Sequence, residues 1–481
     1  MAKKYLIVLA QEHFEFRIPE LESVAGIFKK RLLDIWDKQL IDHSLSNHVD
    51  ESLQIQNEDD EKMSIHNYFN QYDTPYILLH NVSEQDVKHI MSRTILAKNA
   101  YEIWGYGKTY NDMKKSILEF PEDAKKSCFN SSFCIRVKAC GRKMSIPEQI
   151  KIIDSLEDVL PFEGEVDLKS PENEFHVIED YGAHKGKKFS GDPHYIYFGR
   201  LIADGQRNLL QSYSVKTRKF IGNTSMDAGL SFIMSNVAKV KPGDYVCDPF
   251  VGTGSLLIAA ARHGGFVTGG DINYNILHAR GKSSRVGAGY REKDETIKDS
   301  LKQYELQNKY LDVMVQDNAS NAWRSPLNMC HGIFDAIITD PPYGIRERCR
   351  KVGKNKEVAT SANEPIIHYP EQTAYHLDQV FIDLLTFAAR TLVPGGRLVY
   401  WLPIYRPEYS DDIIPRHPNL KLLYNCEQPL KRETSRRLLV MEKCENEMTD
   451  SQTNGASFNS DAHKGHNAFR NKYFKTASAK Q

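Results

Sequence analysis

Residues 246–257, "VCDPFVGTGSLL", hold the pattern on which the fold turns. An apolar run meets Asp248, Pro249 and a glycine-spaced turn, and a second apolar run opens directly afterwards. A strand that ends sharply and feeds a helix reads this way. Gly252 and Gly254 let the backbone turn tightly and approach a ligand with no Cβ atoms in the way. The start of the helix adds free N–H groups. The segment is not a P-loop, because the Gly-Lys-Ser/Thr ending is absent. It is not a full G-x-G-x-x-G either, because Leu257 stands where the third glycine belongs. Taken alone, the turn is also compatible with a tight structural corner.

On either side the chain alternates helix and strand. "DAGLSFIMSNVAKV" reads as a helix before the turn and "FVTGGDI" as a strand after it. A helix at "DSLKQYELQ" leads to a strand at "LDVMVQD". "FDAIITD" is a strand, "LDQVFIDLLTFAARTLV" a helix and "GRLVYWLPI" a strand. "LKLLYNCEQ" and "SRRLLVMEK" read as a closing antiparallel hairpin. The expected fold is α/β and Rossmann-like, with a mostly parallel seven-stranded sheet over 224–445. Ligands bind such sheets beyond the carboxyl ends of the strands. Asp248, Asp271 and Asp317 end three successive strands, and Phe250 lies in the glycine turn. An acid at Asp271 suits ribose hydroxyls, and an acceptor at Asp317 suits an adenine amino group. A carboxylate at Asp248 would repel a pyrophosphate but not a cation. S-adenosylmethionine, with its ammonium, sulfonium and adenosine, is therefore preferred to NAD.

The fourth strand ends in "IITDPPYGIRE" (337–347). Pro341 and Pro342 have no N–H and fix two φ angles. The turn thus presents acceptors, the Asp340 carboxylate and the Pro341 carbonyl, which suit an –NH2 group. Tyr343 supplies a flat face for a planar base. The combination fits methylation of an exocyclic amine on a nucleobase. Its nitrogen lone pair is delocalised into the ring, and accepting its hydrogens frees that pair. Alignment with the methyl donor then provides much of the catalysis. A rigid loop that merely ends a strand is the bland alternative.

The rest of the chain sets bounds. Its 481 residues predict two or three domains, and 63 basic residues balance 63 acidic ones, so only local charge speaks to a nucleic-acid partner. The eight cysteines contain no C-x-x-C pair and predict reduced thiols rather than a zinc site. His463 and His466 lack a third ligand nearby, so no metal is expected. "KKYLIVLA" at the start is too short for a signal peptide and reads as a strand. No run approaches membrane-spanning length, which predicts a soluble, cytoplasmic chain. The first 180 residues read as an α+β unit or two small ones, with a polar insertion at 43–72. Residues 183–223 hold eight basic residues against two acids up to residue 220 and read as a basic linker. The tail at 446–481 reads as disordered.

"DPFVGTG", "FIGNTSMD" (220–227) and "TDPPYGIRE" together are narrower than any one of them. They resemble the catalytic subunit of the eukaryotic tRNA guanosine N2-methyltransferase, which modifies guanosine at position 10. The resemblance runs through most of 200–442. It implies a class I S-adenosylmethionine-dependent methyltransferase fold at 224–445. A ferredoxin-like piece is implied at 1–70 and a THUMP-like RNA-binding domain at 71–182. "VDLKSPE" and the strand pattern around it are similar to the end of a THUMP domain. The resemblance also implies a small zinc-binding activator subunit as partner, and tRNA as substrate. By the same resemblance Thr224 and Met226 help hold the methionine end of the cofactor. Asp248, Phe250, Gly252 and Gly254 line its turn, Asp271 takes the ribose and Asp317 the adenine. Asp340, Pro341, Pro342 and Tyr343 form the catalytic turn.

Two cationic stretches are candidate RNA contacts. One contains Lys185, Lys187 and Lys188. The other, with six basic residues and one acid between 346 and 356, follows the catalytic turn and contains Arg346, Arg348, Arg350 and Lys351. A loop there would lie by the phosphates that flank a flipped nucleotide. Solvated surface is the plainer account of the first. Two other functions share parts of this pattern. One is an amino-methyltransferase acting on adenine N6 or cytosine N4, and the other a non-catalytic RNA-binding protein with a relic cofactor fold.

Overall fold

The computed structural model describes residues 3–37, 74–181, 191–285, 287–320, 332–345, 349–353, 372–444, 469 and 473. The 43–72 insertion, most of the tail, and Lys185, Lys187, Lys188, Arg346 and Arg348 lie outside them. The chain divides into two units, Met1–Arg207 and Asn208–Gln481. No helix among the described residues is long and apolar enough to cross a membrane.

The first unit is built on six strands: β1 (Lys4–Leu9), β2 (Tyr76–Leu79), β3 (Ala97–Gly107), β4 (Phe133–Cys140), β5 (Asn173–Asp180) and β6 (Tyr195–Asp204). They form one sheet in the order β2-β1-β3-β6-β5-β4. Only the β4–β5 pair is parallel. The helix Glu84–Met91 starts at a reciprocal cap between Ser83 and Asp86, and Val87, Ile90 and Met91 bury its inner face. Glu20, inside the helix Arg17–Ile27, is buried, and its carboxylate accepts from the backbone N–H groups of Ile95 and Leu96 at 2.9 and 2.8 Å. A buried carboxylate is tolerable there because donors replace its water.

Two expected boundaries are corrected here. The segment 183–223 is not a linker, because β6 lies within it and pairs with both β3 and β5. In "YIYFGRLIAD", Tyr195 and Tyr197 pack in one core and Ile196 and Phe198 in another, on opposite faces of the sheet. Nor does a domain end at residue 70, because β1 sits between β2 and β3 in the same sheet.

The second unit contains β7 (Tyr245–Asp248), β8 (Phe266–Asp271), β9 (Tyr310–Val315), β10 (Phe334–Thr339), β11 (Arg350–Val352), β12 (Gln372–Ala374), β13 (Leu392–Tyr405), β14 (Leu420–Pro429) and β15 (Thr434–Lys443). Seven of them form a sheet in the order β14-β15-β13-β10-β7-β8-β9. The five from β9 to β13 run parallel, and β15 and β14 close the sheet as an antiparallel hairpin. Chain order runs outward from β7 on one side and from β10 on the other. The switch between them opens the crevice where such sheets bind ligands. The helix Leu377–Thr391 buries Val380, Phe381, Leu384 and Leu385 against the sheet, in a core that includes Leu398, Tyr400 and Leu402 of β13. β11 and β12 pair separately as an antiparallel ladder.

Candidate active site

A cleft of about 1540 Å³ opens at the carboxyl ends of β7 to β10. Its wall includes Thr224, Met226, Asp248, Phe250, Gly252, Asp271, Asp317 and the whole turn Asp340–Tyr343. Residues that come from five separate stretches of sequence thus meet in one place.

The glycine turn is needed for two different reasons. Gly252 has φ +48°, and a Cβ built on it meets nothing within 4 Å, so its cleft side is open. Gly254 has φ +76°, and a Cβ there would lie 2.7 Å from the Ile297 side chain. Gly254 does not line the cleft. It makes the corner that starts the buried helix Ser255–Arg262. The "NTSMD" segment is fastened to this turn. The Ser225 and Thr253 hydroxyls are 2.7 Å apart, and the Ser225 hydroxyl also accepts from Gly222 N–H.

The three strand-end acids differ in their partners. Asp248 is buried and accepts from the Thr339 hydroxyl at 2.7 Å and the Phe250 N–H at 3.0 Å. Burial pushes its pKa up to about 7; the charges of Asp271 and Asp340 push the same way, against the two hydrogen bonds. Asp271 accepts from the N–H groups of Gly252 and Asn273, at 2.9 and 2.8 Å, and so ties β8 to the glycine turn. Asp317 accepts from Ala319 N–H at 3.0 Å and from Val352 N–H at 2.8 Å, which ties β11 to the end of β9. Both residues line the cleft. Their structural ties were not legible in the sequence, since backbone N–H groups leave no signature there.

These features fit S-adenosylmethionine. A buried carboxyl whose pKa lies about 7 is poised to ionise against a cation brought to the cleft wall, and two further carboxylates flank it. Asp248 and the Met226 segment would face the charged methionine end, and Asp271 and Asp317 the adenosine.

At the Asp-Pro-Pro-Tyr turn the Tyr343 hydroxyl donates to Asp340 Oδ1. Burial raises the Tyr343 pKa well above its ordinary value, and the Asp340 charge adds to this. The phenol therefore stays a donor. The sequence suggested only a stacking face for this residue. The Cys349 thiol donates to the Pro342 carbonyl at 2.9 Å and braces the turn from behind. Arg436, on β15, reaches Asp340 Oδ2 at 3.3 Å and the Tyr343 oxygen at 3.4 Å. Sequence reasoning missed it, although the paired arginines of "SRRLLV" in a closing hairpin were an available signal. Arg350 lines the cleft, with Nη1 3.4 Å from Gln372 Oε1. Lys351 does not, and its ammonium lies 5.5 Å from the centre of the Tyr375 ring. The described part of the expected cationic loop is a strand, because Arg350–Val352 pairs with β12.

Comparison with known proteins decides the family. The tRNA (guanine(10)-N(2))-methyltransferase TRMT11 of Xenopus laevis is 44% identical over 476 residues, 98% of this chain and 91% of that protein. The chain belongs to the TRMT11 family. The human TRMT11 is 44% identical over 478 residues, covering 98% and 95%. That of Dictyostelium discoideum is 32% identical over 456 residues, covering 92% and 82%. Residues 54–207 match the model of the Tmrp11 THUMP N-terminal domain, and 216–357 that of the RMKL-like methyltransferase domain. The first match ends at the boundary between the two units and includes β6. Among solved structures, TrmN from Thermus thermophilus is 15% identical with a TM-score of 0.39, covering 92% of this chain and 99% of that one, a likeness too loose to carry an argument. The TRMT11 family membership accounts for the pairing of a THUMP-type unit with an S-adenosylmethionine-dependent catalytic unit.

Proposed function

We propose that this chain methylates the exocyclic N2 amine of guanosine at position 10 in tRNA. The observation that carries the reading is the Asp340–Tyr343 turn at the end of β10, which faces the same cleft as the three strand-end acids. Bound S-adenosylmethionine supplies an electrophilic methyl group. Asp340 accepts hydrogen bonds from the amine and turns its lone pair toward that group. The amine takes the place of the Tyr343 hydroxyl on Oδ1, and the Tyr343 ring stacks on the base. Pro341 offers a second acceptor through its carbonyl. With the cofactor held by the cleft residues, transfer of its methyl group would exchange an S–C bond for the new N–C bond, and the amine proton would pass to Asp340 or to water. Mass spectrometry of tRNA nucleosides from cells lacking the protein tests this. N2-methylguanosine should disappear from position 10, and its persistence, or loss of a methylated adenine or cytosine instead, overturns the proposal.

We also propose that a small zinc-binding activator subunit completes the enzyme. The edge strand β9 supports it. Among the described residues it pairs with β8 on one side only, and Leu311, Met314 and Val315 are 50%, 38% and 47% exposed. An apolar edge of this kind invites an added strand from a partner. Lys or Asp at Leu311 and Val315 should abolish co-purification of that subunit. Full tRNA methylation by the single purified chain would show the partner dispensable.

A further inference from the structure

Arg436 is separated from Asp340 by 96 positions in the chain and by one hydrogen bond in the fold. Several contacts hold its guanidinium in place. Nε donates to Gln428 Oε1 at 2.7 Å, across the β14–β15 register that pairs these two residues. Nη2 lies 3.6 Å from the Met226 sulfur. The guanidinium carbon sits 3.9 Å from the centre of the Trp401 ring, a cation–π stack in a desolvated setting. Nη1, the remaining arm, reaches Asp340 and Tyr343 together. A rigid planar fork fixed on its other sides constrains what its last arm touches.

We propose that Arg436 is a positioning residue for methyl transfer, holding the Asp340 carboxylate as an ionised, oriented acceptor for the substrate amine. This rests on the amine-methylating function proposed above. A carboxylate that must accept from a weakly basic amine has to be charged and fixed before the base arrives, and a hydrogen-bonded cation supplies both conditions. The same arm serves Tyr343. When the amine replaces the Tyr343 hydroxyl on Asp340, the phenol oxygen keeps Arg436 as a partner, so the exchange leaves no buried polar atom bare. Among the described residues, the ionisable groups facing Asp340 include Arg436 from β15, Tyr343 from its own turn and Asp248 from the end of β7. The first favours the charged form of Asp340. A charged Asp248 opposes it.

The test compares Arg436→Gln with Arg436→Lys in the full chain with its activator. Carbon-13 NMR of aspartate-labelled protein follows Asp340, its signal assigned by its loss in Asp340→Asn. Single-turnover methylation of a tRNA transcript is measured across pH, and S-adenosylmethionine affinity by calorimetry. Arg436→Gln should raise the Asp340 pKa and move the acid limb of the rate profile upward together, by about one pH unit. The plateau rate should fall about a hundredfold, with cofactor affinity changed less than about threefold. Arg436→Lys, which keeps the charge but not the fork, should keep the wild-type limb with an intermediate plateau rate. A structural role alone would lower the rate at every pH with the limb fixed. An unmoved Asp340 titration in folded Arg436→Gln, or a lysine variant no better than the glutamine one, overturns the proposal. A wild-type enzyme that leaves the transcript unmethylated while the Asp340 signal still moves would overturn the proposed function and support the coupling of Arg436 to Asp340.

Discussion

Binding of S-adenosylmethionine will expel a proton from Asp248 at pH 6. The carboxyl is buried at the end of β7 and its pKa is pushed up to about 7. At pH 6 such a group is about nine-tenths protonated, and at pH 7 about half. The cofactor's α-ammonium remains charged across this window, because an α-amino group titrates near about 8. A cation brought against the carboxyl favours its ionised form. Binding at pH 6 should therefore release about 0.9 proton. Apparent affinity should rise about fivefold from pH 6 to pH 7, about 1 kcal/mol, as the fraction of binding-competent carboxylate grows. Calorimetric titrations at pH 6 in two buffers of unlike ionisation enthalpy count the proton directly. Asp248→Asn should lose both the release and the pH slope. A wild-type heat that is equal in the two buffers refutes the reasoning. The free protein carries the same shift with a defined sign. Its native state holds a proton that the unfolded chain, with a pKa of 3.8, has lost. Stability should therefore fall as pH rises from about 4 through about 7, and melting curves of Asp248→Asn should lack that component of the fall.

Asp340→Asn should slow single-turnover methylation about a hundredfold or more while leaving cofactor binding nearly intact, because the amide cannot balance the developing positive charge. Tyr343→Ala should instead weaken productive tRNA binding, by about 1–3 kcal/mol for a lost stack, and a wild-type Kd for tRNA with only the rate reduced would assign the residue to chemistry alone. Gly254→Ala should destabilise the fold by about 1–3 kcal/mol, since it forces a side chain onto a φ of +76° and against Ile297; an unchanged melting temperature would remove the steric account of this glycine.

Much of the catalytic unit was legible because its signals are local. Strand and helix periods alternate over 224–445, and the acids fall at strand ends where the turn chemistry is visible. Asp340 and its two prolines were read for the same reason, as a strand cannot continue through them. Arg436 was not, since its meaning depends on a hairpin that returns the chain to Asp340. The strand β6 was missed because basic residues and aromatics share the segment, and only its pairing with β3 and β5 makes the alternation significant. The ties from Asp271 to Gly252 and from Asp317 to Val352 involve backbone N–H groups, which every residue type but proline carries.

The placement of β6 has a bearing on how the protein is made. It is the last strand of the first sheet to leave the ribosome, yet it lies between β3 and β5 and joins the two halves of that sheet. Until it arrives, β2-β1-β3 and β5-β4 each present an open edge and a share of the apolar surface that the finished unit buries. At about 5–20 residues per second the interval from the end of β3, at Gly107, to the end of β6, at Asp204, lasts about 5–20 s. The nascent chain thus spends nearly half of the synthesis of its first unit with the β2-β1-β3 half unjoined, a window in which holding chaperones would have the greatest effect. Ribosome-stalled chains ending before residue 195 should be cut readily by protease, and those extended far enough to free residue 204 should resist it.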